Sequence, residues 1–225
     1  MLIRYMTSSI GKKQIVAVSG LLLVLYLMFH LSMNLLLYGG PELYNMFPEK
    51  AEATGLLLKI IESLLALVFI AHIGFTIACV LENRRARTPY EVSASSKKRS
   101  LATRLMPYTG TILLLFLIQH LRDYKLVDHH GMASFINGQD LGLYGLVFNS
   151  FLNPLRSAFY IVAMFAVGFH LAHGIQSVLQ SFGFNHPYYT PIIQKVSTGV
   201  GLLFAVLFSS IPVYVFAVAC TMGCP

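Results

Sequence analysis

The chain has 225 residues, a mean hydropathy of +0.68, 56% hydrophobic residues and only 11% charged ones, where a soluble domain carries about 25% charged. That balance excludes a soluble globular domain and marks an integral membrane protein; no nucleic-acid partner is expected despite the formal net charge of +7. A window of about 19 residues finds five apolar segments, each long enough to cross a bilayer. Their approximate spans are 13–38, 56–82, 104–127, 153–182 and 192–220. Nothing between them is long enough for a separate soluble unit, so an all-α bundle of five transmembrane helices in one domain, 1–225, is expected.

In chain order, Thr7 to Lys13 form a polar, basic lead-in whose Ser and Thr suit a helix cap. The first apolar run is too long for a signal-peptide core and no small-residue cleavage site follows it, so it is read as a retained helix. Gly39-Gly40-Pro41 stops that helix and opens a short acidic loop. The loop from Asn83 to Thr103 is rich in Ser, Lys and Arg. The connection from Asp128 to Leu152, with His129 and His130, is expected to be the longest irregular stretch, and Asn153-Pro154 signals the start of the fourth helix. Gly183 closes that helix. No internal repeat is found.

Charge sets the orientation. Alternate flanks collect Arg4, Lys12, Lys13, Arg84, Arg85, Arg87, Lys97, Lys98, Arg99, Arg104 and Lys195 on one side. The other flanks hold only Lys50, Lys59, Arg122, Lys125 and Arg156, beside six carboxylates, Glu42, Glu49, Glu52, Asp123, Asp128 and Asp140. The positive-inside rule then puts the N-terminus in the cytoplasm and the C-terminus outside. The basic 84–104 loop also offers a docking face for a cytoplasmic partner or anionic lipid. Of three cysteines, Cys79 reads as packing, and Cys220 and Cys224 are close enough for a disulfide. No Cys-x-x-Cys-His is present, which argues against covalent haem attachment.

Histidines inside the apolar segments carry the chemistry. His30, His72, His120 and His170 each lie within one, and His173 follows His170 by three residues. An imidazole in hydrocarbon costs free energy unless it is hydrogen-bonded or ligated. At about 1.5 Å per residue, His30 and His120, each sixteen or seventeen residues along an outward helix, share a level in the outer half. His72 and His170, at the same count along inward helices, share a level in the inner half. Each pair on facing helices matches the needs of a six-coordinate haem, with Gly74, Gly110, Gly168 and Gly174 letting a porphyrin approach the backbone. Because His170 and His173 share a side of their helix, depth alone leaves open which of them binds iron. No carboxylate falls at the midplane, which argues against an ion pump.

Two motifs extend this reading: Ser8-Ser9-Ile10-Gly11-Lys12-Lys13 followed by His30 and Asn34, and His170-Leu171-Ala172-His173-Gly174-Ile175-Gln176-Ser177 ending at Gly183. Together they resemble the five-helix dihaem cytochrome b anchor of succinate dehydrogenases and quinol:fumarate reductases. The resemblance implies two haem b groups. His72 and His170 would hold the one nearer the cytoplasm and His30 and His120 the distal one, with His173 a neighbour. It implies an iron–sulfur subunit and a flavoprotein docked on the cytoplasmic face of a bacterial inner membrane, a quinone such as menaquinone reacting near the distal haem, and assembly as a dimer of heterotrimers. A family glutamate two positions before the fourth-helix ligand is Gly168 here. For a second family glutamate, active in quinol oxidation, Glu52 is the candidate, with Glu49 and Glu62 behind it. Alternatives are the cytochrome b subunit of a membrane hydrogenase or formate dehydrogenase, and a histidine-lined metal transporter.

Overall fold

A computed structural model describes residues 2–85 and 101–221. Arg87, Lys97, Lys98 and Arg99 of the basic loop, and Cys224, lie outside the described residues. Helix α1 (Leu2–Met6) precedes the long α2 (Ser9–Leu35), which ends in a 3-10 turn, Leu36–Gly39. Then come α3 (Pro41–Glu52), α4 (Leu56–Arg85) and α5 (Leu101–Tyr124). A two-stranded antiparallel ladder, β1 (Phe135–Ile136) with β2 (Gln139–Asp140), leads into α6 (Gly142–Phe151), α7 (Pro154–Ser181) and α8 (Thr190–Thr221).

Among the described residues, four helical stretches are long and apolar enough to cross a membrane: Ser9–Gly39, Leu56–Arg85, Pro154–Ser181 and Thr190–Cys220. Helix α5 occupies the remaining apolar segment but is less apolar, because Arg104 and the run Pro107-Tyr108-Thr109-Gly110-Thr111 fill its first half.

Local sequence sets the ends. The Ser8 hydroxyl accepts from the Gly11 amide at 3.0 Å, which caps α2, and Asn153 accepts from the Leu155 and Arg156 amides at 3.0 and 3.1 Å to cap α7, with Pro154 at the first helical position. Asn34, one turn beyond His30, donates to the His30 carbonyl at 2.8 Å and accepts from Tyr44 on α3 at 3.4 Å.

Helix α7 is the centre of the bundle, packing most extensively on α8 and also against α5 and α2, while α4 rests chiefly on α2. The closest approach is glycine on glycine. A Cβ on Gly201 would lie 2.3 Å from the Gly168 carbonyl oxygen, and one on Gly168 would lie 2.8 Å from that of Gly201. Gly168 therefore serves contact with α8 and does not open toward the histidines, contrary to the sequence expectation. The core gathers toward the acidic end, where Leu37, Phe148, Phe151, Tyr160, Phe204 and Val215 are buried together.

The connections are more ordered than expected. The acidic loop after the first span is helix α3, and the presumed irregular stretch 128–152 holds the ladder and α6. Ten apolar residues are too short to span a bilayer, so α6 escapes a membrane-length window, yet its face is buried against the core. Asn45 ties the two connections together by donating to the Leu141 carbonyl at 2.8 Å and accepting from the Tyr144 amide at 3.0 Å.

Candidate haem sites: two imidazole pairs

The four single histidines come together two by two. The rings of His30 and His120 lie with centroids 5.7 Å apart and planes at 87°, and those of His72 and His170 at 6.5 Å and 68°. Helices α2 and α5 thus supply one pair and α4 and α7 the other. It is the ring of His170 that stands against His72; His173 is half-buried on the same helix.

The two pairs sit in different chemical surroundings. Around the first, Tyr26 stacks on His30 at 5.6 Å and Phe116 on His120 at 5.4 Å, with Phe208 and Tyr124 at the edges. The His120 Nδ1 is buried with no hydrogen-bond partner among the described residues. Around the second, the Ser19 hydroxyl lies 3.2 Å from His72 Nδ1 and the Thr109 hydroxyl 3.4 Å from His170 Nδ1. Beside each hydroxyl is a glycine: a Cβ on Gly20 would stand 3.2 Å from His72 Cε1, and one on Gly110 3.7 Å from His170 Cε1.

Ser19 and Thr109 were not singled out from the sequence, although a signal was there. Ser19-Gly20 precedes His30 by the same eleven residues that separate Thr109-Gly110 from His120. Eleven residues are close to three helical turns, so hydroxyl and histidine share a face about 16 Å apart. This shared spacing sets the two pairs at separate levels along α2 and α5. Of the other glycines expected near a porphyrin, Gly74 has open space where a Cβ would stand and Gly174 meets the end of Met106 at 3.9 Å.

Beyond the His30 and His120 pair a polar network closes the acidic end. Asp123 accepts from Gln119 at 2.7 Å and from the Tyr160 hydroxyl at 2.9 Å. The Tyr124 and Ser150 hydroxyls are 2.8 Å apart, and Arg156 donates to Ser150 at 3.1 Å. Tyr124 and Tyr160 both pack near His120. Asp123 and Tyr160 were likewise missed as a unit, since thirty-seven residues separate them.

The three candidate carboxylates part company. Glu52, at the end of α3 and largely exposed, pairs with His129 at 3.6 Å. The same imidazole contacts the Tyr124 carbonyl through Nε2 at 2.6 Å. Glu62 pairs with Lys125 across α4 and α5. Glu49 lines a polar cleft between α3 and β2. His130 meets Asp140 at 2.9 Å. At the opposite, basic end, Lys12 pairs with Glu82.

The residues fit haem. Two imidazoles bound at about 2 Å to one iron hold their centroids about 6 Å apart and are free in mutual angle, as these two pairs are. Each pair offers two imidazole nitrogens as ligands. No family model, no curated protein and no solved structure matches the chain.

Proposed function

We propose that this chain is a dihaem b-type cytochrome, the membrane anchor of a succinate:quinone oxidoreductase or quinol:fumarate reductase, passing electrons between a membrane quinone and an iron–sulfur subunit. The observation that carries the reading is the convergence of His30 with His120 and of His72 with His170 at two levels of one apolar bundle. In this reading α5 is a fifth spanning helix, the basic end and N-terminus face the bacterial cytoplasm, and the iron–sulfur and flavoprotein subunits dock there, with dicarboxylate chemistry on those subunits. The whole assembly is a dimer of heterotrimers.

Bound haem would supply a one-electron carrier at each level. The protein's own work is to hold and insulate. The His30 and His120 rings grip from α2 and α5 inside an aromatic wall that keeps water away, and His72 and His170 grip from α4 and α7. Quinone, menaquinone in this reading, exchanges protons at the acidic end. There Asp123 accepts hydrogen bonds at both oxygens, from Gln119 and Tyr160, and Glu52 with His129 faces bulk water. Gly168 has no room for the family glutamate, so no proton path is assigned to that position. A metal transporter is disfavoured by the lack of carboxylates at the midplane.

The test is a reduced-minus-oxidised spectrum of the purified chain in detergent with haem counted per polypeptide. Two b haems are expected, with His30→Ala or His120→Ala removing one and His72→Ala or His170→Ala the other. Folded wild-type protein without haem overturns the reading. Copurification of a flavoprotein with covalent FAD supports the proposed partner; a nickel or molybdenum protein assigns the chain to a hydrogenase or formate dehydrogenase instead.

A further inference from the structure

The hydroxyl of Ser19 has one proton and three nearby acceptors. Its oxygen lies 2.6 Å from the Ile15 carbonyl oxygen and 3.2 Å from both the Val16 carbonyl oxygen and His72 Nδ1, and His72 also hydrogen-bonds the Val16 backbone. Two oxygens at 2.6 Å repel unless a proton lies between them, so the hydroxyl donates to its own helix. It is then left with lone pairs only, and the contact to His72 requires the imidazole to donate. Thr109 repeats the arrangement: it is 3.1 and 3.2 Å from the Met106 and Leu105 carbonyls and 3.4 Å from His170 Nδ1. Gly20 and Gly110, each one residue later, remove the Cβ that would crowd the ring out of its seat.

We propose that Ser19 and Thr109 are positioning residues that lock His72 and His170 in the Nδ1-protonated tautomer, leaving Nε2 as the sole lone pair of each ring for a metal and making both imidazoles stronger donors. The proposal rests on the dihaem reading and deepens it. A hydrogen bond at the far nitrogen of a ligating imidazole raises its basicity and favours the oxidised metal. Among the described residues the His30 and His120 pair lacks this device on at least one side, since His120 Nδ1 has no partner there. The two haem sites are thus tuned by different means, hydroxyl seats at one level and an aromatic wall at the other.

The experiment is a redox titration of the wild-type chain, Ser19→Ala, Thr109→Val, the double variant, and the conservative Ser19→Thr and Thr109→Ser, with haem counted in each. Ser32→Ala and Thr111→Val, which remove exposed hydroxyls bonded only to their own helix, serve as controls. The expected result is that one of two haems becomes easier to reduce in Ser19→Ala and in Thr109→Val. The reduced-to-oxidised ratio at fixed potential should rise severalfold, where tenfold equals about 59 mV for one electron. The other haem and the controls should not move, and the conservative variants should restore the wild-type value. Two haems with neither potential moved, or both moved equally, overturns the assignment while leaving the dihaem reading standing. A wild-type chain without haem overturns both. Loss of one haem in Ser19→Ala, with retention in Ser19→Thr, supports the positioning role through affinity.

Discussion

Gly168 and Gly201 carry a constraint that no side chain can satisfy. A Cβ on Gly201 falls 2.3 Å from backbone oxygen, so Gly201→Ala must push α7 and α8 apart, and overpacking of this kind costs about 1–3 kcal/mol. Gly199, two positions away, has nothing within 4 Å. Thermal unfolding in detergent should show Gly201→Ala clearly less stable than wild type and Gly199→Ala unchanged or slightly more stable. Equal stability of the two variants would contradict the packing described. The same contact explains why a residue near the histidine motif need not serve the haem: position 168 is two residues from His170 in sequence but faces a different helix. Histidine depth, in contrast, was legible from the sequence, since helix rise converts a residue count directly into height. The choice between His170 and His173 was not, because it depends on how α7 is rotated against α4.

Two elements carry predictions of their own. The ladder and its flanks are tied by Asp140. The Ser134 hydroxyl, the Gly142 amide and His130 hold its carboxyl down to about 2, below the usual 3.8. The hydrogen bond to Asp140, with its charge, raises His130 above the usual 6.5. Stability from Asp140 is present above 3.8 and lost as pH falls toward about 2. That from His130 is full below 6.5 and lost as pH rises through its raised value. Exchange of the Leu141 amide, which donates to the Ser134 carbonyl at 3.1 Å, should therefore be most protected between pH 3.8 and 6.5 after correction for intrinsic rates. Flat protection across pH 2 to 9 would remove the Asp140 latch. The second element is α4, thirty residues long with none buried. It is joined to α2 and α5 by Lys12–Glu82 and Glu62–Lys125 near its two ends, and His72 is its contribution to a ring pair. If the chain binds haem as proposed, removing it should raise exchange in α4 around His72 more than in α7, whose core face stays packed on α8. Equal change in both helices would show that haem does not brace α4.

For the molecule as a whole, a ligand that binds only the folded state stabilises it by mass action. On the proposed dihaem reading, haem-depleted protein should unfold at a lower temperature than loaded protein. His72→Ala with His170→Ala should bring part of that loss, and all four alanines together should reproduce the depleted protein. A quadruple variant as stable as the loaded wild type would separate the histidines from any bound group.

The sequence by itself determined that the chain is an apolar helical protein, where its long helices lie to within a few residues, and which histidines share a level. These follow from hydropathy, chain length and helix rise, all local quantities. Only the tertiary structure decided that α3, α6 and the ladder order the connections, that Gly168 belongs to a helix crossing, and that Asp123 meets Tyr160. It alone showed that the hydroxyls of Ser19 and Thr109 lie beside the imidazoles of neighbouring helices. Each of those depends on the rotation and approach of one element against another, and a residue's position along its own helix carries neither.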